Sequence, residues 1–161
     1  MAKPNNHERS LILVKPDGVQ RGLIGQIISR FERKGLKLVG LKMMRLHKED
    51  VMKHYGKYSD KPFYKTIEEF MMSGPIVAMV WEGLEAVKAC RLICGEKRHG
   101  FESEAGSIRG DFAISGGNNI VHSSDTKENA EAEVSKFFDI TELFDYEKTD
   151  YSHVYSPEDI A

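Results

Sequence analysis

Four short apolar runs, separated by turns and helical stretches, are the feature that most constrains the fold of this chain. The runs cover residues 10–14, 36–46, 76–81 and 119–122, and they predict four strands. Helical periodicity fills most of the sequence between them and gives the order βα, β, αα, βα, loop, βα. This order predicts an α+β sandwich, in which helices pack on one four-stranded antiparallel sheet.

Three local predictions accompany this order. Residues 15–18 predict a turn after the first strand, because lysine, proline, aspartate and glycine stand together there. Residues 95–117 contain little helical periodicity and several glycines, so we expect a long loop, which in a compact domain is usually functional. The spacing of Asp125 and Glu128 is that of a capping box and predicts the start of the last helix.

Length and charge limit the classes of protein to which the chain can belong. With 161 residues, 40% of them hydrophobic, it can bury one substantial core. We therefore expect a single domain over residues 1–161, with a core over about 8–155 and a charged C-terminal tail. The 23 lysines and arginines are balanced by 25 aspartates and glutamates, which argues against a broad basic face for nucleic acid. Any anion site must be local.

Cysteine usage and hydropathy favour the cytoplasm. Cys90 and Cys94 lie four residues apart in an expected helix, and the sequence contains no disulfide framework or metal knuckle. The N-terminus is polar, and no segment has the length and apolar character of a signal peptide or a membrane span. We expect a cytoplasmic protein without a membrane partner.

His122 is the first candidate for chemistry, because it follows the apolar pair Ile120 and Val121 where a strand should end. A neutral imidazole near physiological pH is both a nucleophile and a proton acceptor. Glu133 lies on the following helix, so its carboxylate could accept the other ring N–H and fix the tautomer. A structural histidine and a solvated glutamate are the ordinary alternatives, and spacing alone leaves them open.

Three cations form a second candidate group: Lys15 at a strand end, Arg91 late in a helix and Arg109 in the long loop. Each has an ordinary explanation, as a turn lysine, a helix-dipole partner or a loop charge. Together with a nucleophilic histidine they suit phosphoryl transfer, whose transition state spreads negative charge over the equatorial oxygens. The usual phosphate-binding loops are absent from the sequence, so side chains would have to bind the phosphate.

Phe63 is a candidate for contact with a base. It follows Pro62 at the start of a predicted helix, where its ring could stack on a base and contribute about 1–3 kcal/mol. The alternative is a core residue, because Ile67 and Phe70 continue the same apolar stripe.

Five blocks of this sequence occur in the same order in a known family. They are residues 14–23, 73–75, 78–83 and 108–112, and residues 119–122 together with Ser124 and Asp125. On these blocks the chain resembles the nucleoside diphosphate kinases over about residues 8–155. The resemblance implies a ferredoxin-like fold and a ping-pong exchange of the terminal phosphate between nucleoside triphosphates and diphosphates. ATP and other nucleotides would be the partners, and His122 would carry the phosphate.

The resemblance also implies a role for each site residue. Glu133 would orient His122, with the hydroxyl of Ser124 beside it. Lys15 and Asn119 would bind the ribose hydroxyls, with Lys15 also near the transferred phosphate. The remaining contacts would come from the clamps Arg91 and Arg109, from Tyr55 and Lys97 near the phosphates, and from Phe63 stacked on the base. Mg²⁺ would bridge the phosphates of the nucleotide, so no protein metal ligands are expected.

The chain departs from the family pattern at a few positions. Ser123 stands where glycine or alanine is common, and Lys97 stands where a threonine usually contacts the phosphates. Gly116 replaces a valine that covers the second face of the base, and Asn118 replaces an arginine. The loop over residues 97–105 is one residue longer than usual. Since that loop helps to build trimer contacts in the family, assembly is in question; we expect a homo-oligomer, with a hexamer favoured over a tetramer or a dimer.

Two other functions suit the same fold. A histidine phosphocarrier, or a phosphohistidine protein kinase, would pass the phosphate to a protein, and the altered base pocket motivates it. A non-catalytic interaction module would use the charged tail, residues 145–159, to bind partners. Nucleotide preference is not readable from the sequence, because stacking tolerates any base.

Overall fold

The computed structural model describes residues 6–159, and its centre is a four-stranded sheet in the order β2-β3-β1-β4. Each pair of neighbouring strands is antiparallel. The strands are β1 (His7–Val14), β2 (Lys37–Met44), β3 (Ile76–Leu84) and β4 (Val121–Ser123). Together with the helices, this sheet confirms the predicted ferredoxin-like α+β fold.

Eight α-helices connect and flank these strands within residues 6–159. They are α1 (Pro16–Gln20), α2 (Ile24–Arg33), α3 (Lys48–Tyr55), α4 (Tyr64–Met72), α5 (Ala86–Cys94), α6 (Ile108–Phe112), α7 (Lys127–Phe137) and α8 (Tyr151–Val154). Single 3₁₀ turns lie at Gly56–Tyr58, Gly100–Glu102, Ile140–Glu142 and Pro157–Asp159.

The residues of β1 alternate between two cores, because successive side chains of a strand point to opposite faces. Ile12 and Val14 pack with residues of α2 and α5. Leu11 and Leu13 pack on the other face with residues of α3, α4 and α7. Helices thus cover both faces of the sheet, which explains why the central strands are continuous apolar runs rather than alternating ones.

The structure corrects the three local predictions. The expected turn at residues 15–18 is the start of α1, in which Pro16 occupies the first turn and needs no backbone donor. The expected loop at residues 95–117 contains α6, whose N-terminus is capped by the side chain of Ser107. The last helix begins one residue later than the capping box predicts, because the hydroxyl of Thr126 accepts from the backbone N–H of Asn129.

The C-terminal tail packs against the rest of the chain. Tyr151 and Tyr155 are buried, and the hydroxyl of Tyr146 donates to the carbonyl of Leu38 in β2. The ammonium of Lys37 forms an ion pair of 2.7 Å with Asp145. These contacts make much of the tail a part of the fold.

Among the helices within residues 6–159, none combines the length and the apolar character that crossing a membrane requires.

Candidate active site

A tight turn directly before β4 sets the position of His122. Ile120 has a φ of +72°, and the N–H of Val121 donates to the carbonyl of Asn119 at 2.8 Å, which closes a γ-turn. This backbone conformation is strained for a β-branched residue. Asp17 of α1 holds the turn by accepting from the N–H of Ile120 at 3.0 Å.

His122, Glu133 and Ser124 form one hydrogen-bonded chain between β4 and α7. Nε2 of His122 lies 3.0 Å from Oε2 of Glu133, and the hydroxyl of Ser124 donates to the same oxygen at 2.7 Å. Ser124 is fully buried, and its Oγ also accepts from the N–H of Leu11 in the central strand at 3.1 Å. The structure therefore brings together the three residues expected to form the centre of the site.

The charge of Glu133 determines which ring nitrogen of His122 carries the proton. Burial raises the pKa of the Glu133 carboxyl, but hydrogen bonds from His122 and Ser124 outweigh burial, so this pKa lies below its ordinary value. An ionised carboxylate only accepts hydrogen bonds, so in the neutral ring Nε2 of His122 carries the proton. Nδ1 then keeps a free lone pair.

A cleft of about 200 Å³ opens beside these hydrogen-bonded side chains. Tyr55, Arg91 and Arg109 line it together with His122 and Glu133. Arg109 lies on α6, where its Nη1 donates to the carbonyl of Gly95 and its Nη2 to that of Val121, both at 2.7 Å. Arg91 approaches from the last turn of α5. Two of the three predicted cations thus meet His122 in one cleft.

The third cation, Lys15, lies next to the cleft and is paired with Asn119. Its Nζ donates to Oδ1 of Asn119 at 2.6 Å, and Nε of Arg109 donates to the backbone carbonyl of the same asparagine at 3.4 Å. The amide nitrogen of Asn119 donates to the carbonyls of Arg98 and Gly116. Burial, assisted by the nearby charge of Arg109, lowers the pKa of Lys15 to about 8.

The cations of the site share one property. Within residues 6–159, Lys15, Arg91 and Arg109 form no ion pair with a carboxylate. Their hydrogen bonds go to backbone carbonyls and to one amide. Positive charges that are partly buried and lack a carboxylate partner are suited to an anionic ligand.

Two predicted residues lie at the margin of the cleft or outside it. Phe63 precedes α4 and is 43% exposed, so the alternative of a core residue is wrong, and its ring lies 5.7 Å from that of Tyr58, which lines the cleft. Lys97 is exposed and lines a separate depression of about 130 Å³, together with Glu102 and Ser103. The structure does not bring Lys97 to the cleft.

Sequence reasoning missed His54, which lies at the base of the cleft. Its ring meets the ring of His122 edge to face, with centroids 4.6 Å apart. Burial, together with His122, lowers the pKa of His54 to about 3, so the ring is neutral. A signal was present in the sequence, because His54 stands three residues after the buried Val51 and shares its helical stripe.

The departure at Gly116 has a structural counterpart. A Cβ atom at Gly116 would lie 2.5 Å from Cδ2 and Nε2 of His99, so the imidazole fills the space of a side chain at this position. Arg98 joins the same two segments by donating to the carbonyl of Gly116 at 3.1 Å. The loop over residues 97–105 is thereby fastened to the segment that leads to Asn119.

The antiparallel α+β sheet and the carboxylate-bound histidine beside Arg91 and Arg109 fit the class of proteins that transfer phosphate. Comparison with known proteins is more specific. A family model described as nucleoside diphosphate kinase matches residues 8–143. Nucleoside diphosphate kinase B of Homo sapiens is 49% identical over 150 residues, which cover 93% of this chain and 98% of that protein. The nucleoside diphosphate kinase of Natronomonas pharaonis is 51% identical over 149 residues, or 92% and 97% of the two chains.

Solved structures agree with these relatives. A nucleoside diphosphate kinase from Halobacterium salinarum, in complex with CDP, superposes with a TM-score of 0.89 at 44% identity, covering 92% of this chain and 99% of the other. A family protein from Babesia bovis gives the same four values. The chain belongs to the nucleoside diphosphate kinase family and is a phosphotransferase. The two alternatives, a phosphocarrier and a non-catalytic module, receive no support from these relatives.

Proposed function

We propose that Nδ1 of His122 is the atom that carries the phosphate between nucleotides. The observation behind this proposal is the 3.0 Å contact between Nε2 of His122 and Glu133, since it commits one ring nitrogen and leaves the other with a lone pair. Glu133 and Ser124 hold the ring in this tautomer, and the carboxylate stabilises the positive charge that the ring acquires. Both act as positioning residues.

The exchange has two half-reactions. In the first, Nδ1 attacks the γ-phosphorus of a nucleoside triphosphate, the N–P bond forms, and the bond from that phosphorus to the bridging oxygen breaks. The nucleoside diphosphate leaves with the electron pair. In the second, a terminal oxygen of another diphosphate attacks the same phosphorus, and the N–P bond breaks. Ring and carboxylate return to their first state, so the enzyme is unchanged.

The cations bind the phosphates during both steps. Arg91 and Arg109 line the cleft and, with Lys15, stabilise the negative charge on the equatorial oxygens of the transferred group. Lys15 and Asn119 also bind the ribose hydroxyls, and Tyr55 contacts the phosphates. Phe63 stacks on the base at the mouth of the cleft. Lys97 reaches the phosphates only if its loop moves toward the cleft.

The nucleotide brings a divalent cation, which we take to be Mg²⁺. When bound, the ion neutralises charge on the β- and γ-phosphates. The clustered metal-ligand atoms of residues 6–159 are two imidazoles and one carboxylate, whereas Mg²⁺ prefers oxygen ligands. Because this donor set does not suit Mg²⁺, we take the ion to be held by the phosphates of the nucleotide.

Domain organisation and assembly complete the proposal. Residues 1–161 act as one cytoplasmic catalytic domain, and the chain assembles as a hexamer, in preference to a tetramer or a dimer. Exposed apolar side chains on the edge strand β2, Leu41 and Met43, support self-association. Light scattering tests the assembly: a dimer or tetramer mass at assay concentration would reject the hexamer.

Steady-state kinetics test the catalytic proposal. With ATP varied at several fixed concentrations of GDP, double-reciprocal plots of the wild type should give parallel lines, as a phosphoenzyme intermediate requires. His122→Asn should abolish exchange, whereas His153→Asn, at an exposed position in α8, should keep the wild-type rate. Intersecting lines, or exchange that survives His122→Asn, would refute the proposal.

A further inference from the structure

Three side chains bring donor atoms together at the base of the cleft. One ring nitrogen each of His54 and His122 and one carboxylate oxygen of Glu133 lie within 4.8 Å of one another. His122 and Glu133 serve the transfer of phosphate described above. His54 has no part in it, although its ring centroid lies only 4.6 Å from that of His122.

His54 contributes an independent observation. The residue is 7% exposed, and within residues 6–159 its Nδ1 has no hydrogen-bond partner. A buried polar atom without a partner costs free energy unless a water molecule or an ion satisfies it. The rings of Tyr55 and Phe137 meet the imidazole edge to face, with centroids at 4.5 and 5.2 Å, and they hold it beside His122.

We propose that His54, His122 and Glu133 bind a divalent transition-metal ion of the zinc class, and that the bound ion inhibits phosphoryl transfer. Two imidazoles and one carboxylate, with a fourth position open to water, are a donor set that Zn²⁺ takes in proteins. Two ligand atoms on one tetrahedral zinc ion lie roughly 3.3 Å apart, given bonds of about 2.0–2.2 Å. Nε2 of His122 and Oε2 of Glu133 are already 3.0 Å apart, so mainly His54 has to move.

Inhibition follows from the tautomer of His122. The ion binds Nε2, the nitrogen that faces Glu133, and replaces the proton there. A neutral imidazole keeps one proton, which then resides on Nδ1, so Nδ1 has no lone pair with which to attack phosphorus. This inhibition rests on the proposed function of Nδ1, whereas binding of the metal does not.

Binding is tested on the full-length protein with Co²⁺ as a spectroscopic probe, followed by displacement with Zn²⁺ in the presence of excess Mg²⁺. The wild type should bind one Co²⁺ per chain with the absorption of a four-coordinate ion. His54→Gln should weaken this affinity by at least about 10-fold. The control His153→Gln, at an exposed histidine, should not change it.

Two further measurements keep the test decisive if His54→Gln fails to fold. Glu133→Gln should also lower the affinity for the metal. Long-range ¹H–¹⁵N spectra should show that Zn²⁺ shifts the ¹⁵N resonance of Nε2 of His122. Absence of Co²⁺ and Zn²⁺ binding to the wild type, or equal affinity in the wild type and in the His54 and Glu133 variants, would overturn the site.

The exchange assay with saturating Mg²⁺ and ATP tests inhibition. Zn²⁺ should inhibit the wild type and His153→Gln at the same concentration, and a chelator should restore the rate. Full exchange with the site occupied by Zn²⁺ would overturn the inhibition. If the metal-free wild type binds Zn²⁺ and yet exchanges no phosphate, the proposed function fails while the metal site stands.

Discussion

Nε2 of His122 lies 3.0 Å from Oε2 of Glu133, and this contact joins the last strand of the sheet to the helix that follows it. The hydroxyl of Ser124 donates to the same carboxylate oxygen at 2.7 Å. The carboxylate of Glu133 thus accepts hydrogen bonds from both neighbours of Ser123, His122 and Ser124. Because these two residues lie at the last strand, the sheet fixes the position of the carboxylate. The imidazole is oriented before any nucleotide binds.

We predict that Glu133→Gln slows formation of the phosphoenzyme on the order of 10²-fold, because an amide does not stabilise the cationic ring or select its tautomer. Rapid-quench measurement of His122 phosphorylation gives the rate. Glu131→Gln changes an exposed residue of the same helix and serves as the control. An unchanged rate in Glu133→Gln would show that the carboxylate is only structural.

The pKa of Lys15 predicts the alkaline limb of the pH–activity profile, that is, the loss of activity at high pH. Because burial, together with Arg109, lowers this pKa to about 8, the lysine is charged below that pH and loses its proton above it. We expect kcat/KM to fall as the pH rises through about 8, since the free enzyme then offers one charge fewer to the phosphates. A bound nucleotide favours the charged lysine, so the limb of kcat should lie at higher pH.

Lys15→Arg tests this assignment, because arginine keeps its charge throughout the accessible range. The alkaline limb of kcat/KM should disappear in this variant, whatever the loss at neutral pH. Lys53→Arg, at an exposed position of α3, should retain the limb. A limb that persists in Lys15→Arg belongs to another group.

Phe63→Ala should separate binding from chemistry. Loss of one stacking contact of about 1–3 kcal/mol should weaken nucleotide binding by roughly 10-fold. The rate of phosphoenzyme formation at saturating ATP should stay the same, because the ring contacts that of Tyr58 rather than that of His122. Fluorescence titration and rapid quench measure the two quantities, and Phe101→Ala, at a ring 69% exposed, is the control. Equal loss in binding and rate would show that Phe63 supports the fold of the site.

Gly116→Ala should destabilise the protein by about 1 kcal/mol, since the added methyl group meets the ring of His99 at 2.5 Å. The cost is small because this ring can turn into solvent. Gly117→Ala is the matched control: a Cβ there meets no atom within 4 Å, so stability should stay within about 0.5 kcal/mol or rise slightly. Urea denaturation measures both.

The double variant His99→Ala/Gly116→Ala should recover the stability of His99→Ala alone, because the clash is removed. If Gly116→Ala matches Gly117→Ala, the imidazole does not occupy the space beside Gly116.

The sequence predicted the central strands β1 and β3 well, because helices cover both of their faces and they therefore stand out as apolar runs. Residues 76–81 predicted β3 from its first residue, although the strand extends to Leu84. The short helices α1 and α6 escaped prediction, since five residues are too few for a helical period to appear. The local signals were Pro16 at the start of α1 and the N-cap Ser107 of α6.

The contacts of the site likewise divide into those that local sequence could suggest and those that it could not. The pairing of His122 with Glu133 could be suggested because a strand and a helix are adjacent in sequence, although spacing alone left a solvated glutamate open. The hydrogen bonds of Arg109 to Gly95 and Val121, the contact of His99 with Gly116 and the strained φ of Ile120 depend on packing between distant segments. No local periodicity encodes such contacts. His54 was missed because a histidine within an apolar stripe gives no sign of which ring it will face.

Isolation of the phosphoenzyme is the most direct test of the claim that His122 carries the phosphate. The protein is incubated with Mg²⁺ and ATP labelled in the γ-phosphate, separated from nucleotide and mapped, and the labelled protein is then mixed with GDP. We predict one acid-labile phosphate per chain on Nδ1 of His122, and its complete transfer to GDP. Label on another residue, or label on His122 that GDP does not remove, would contradict the claim.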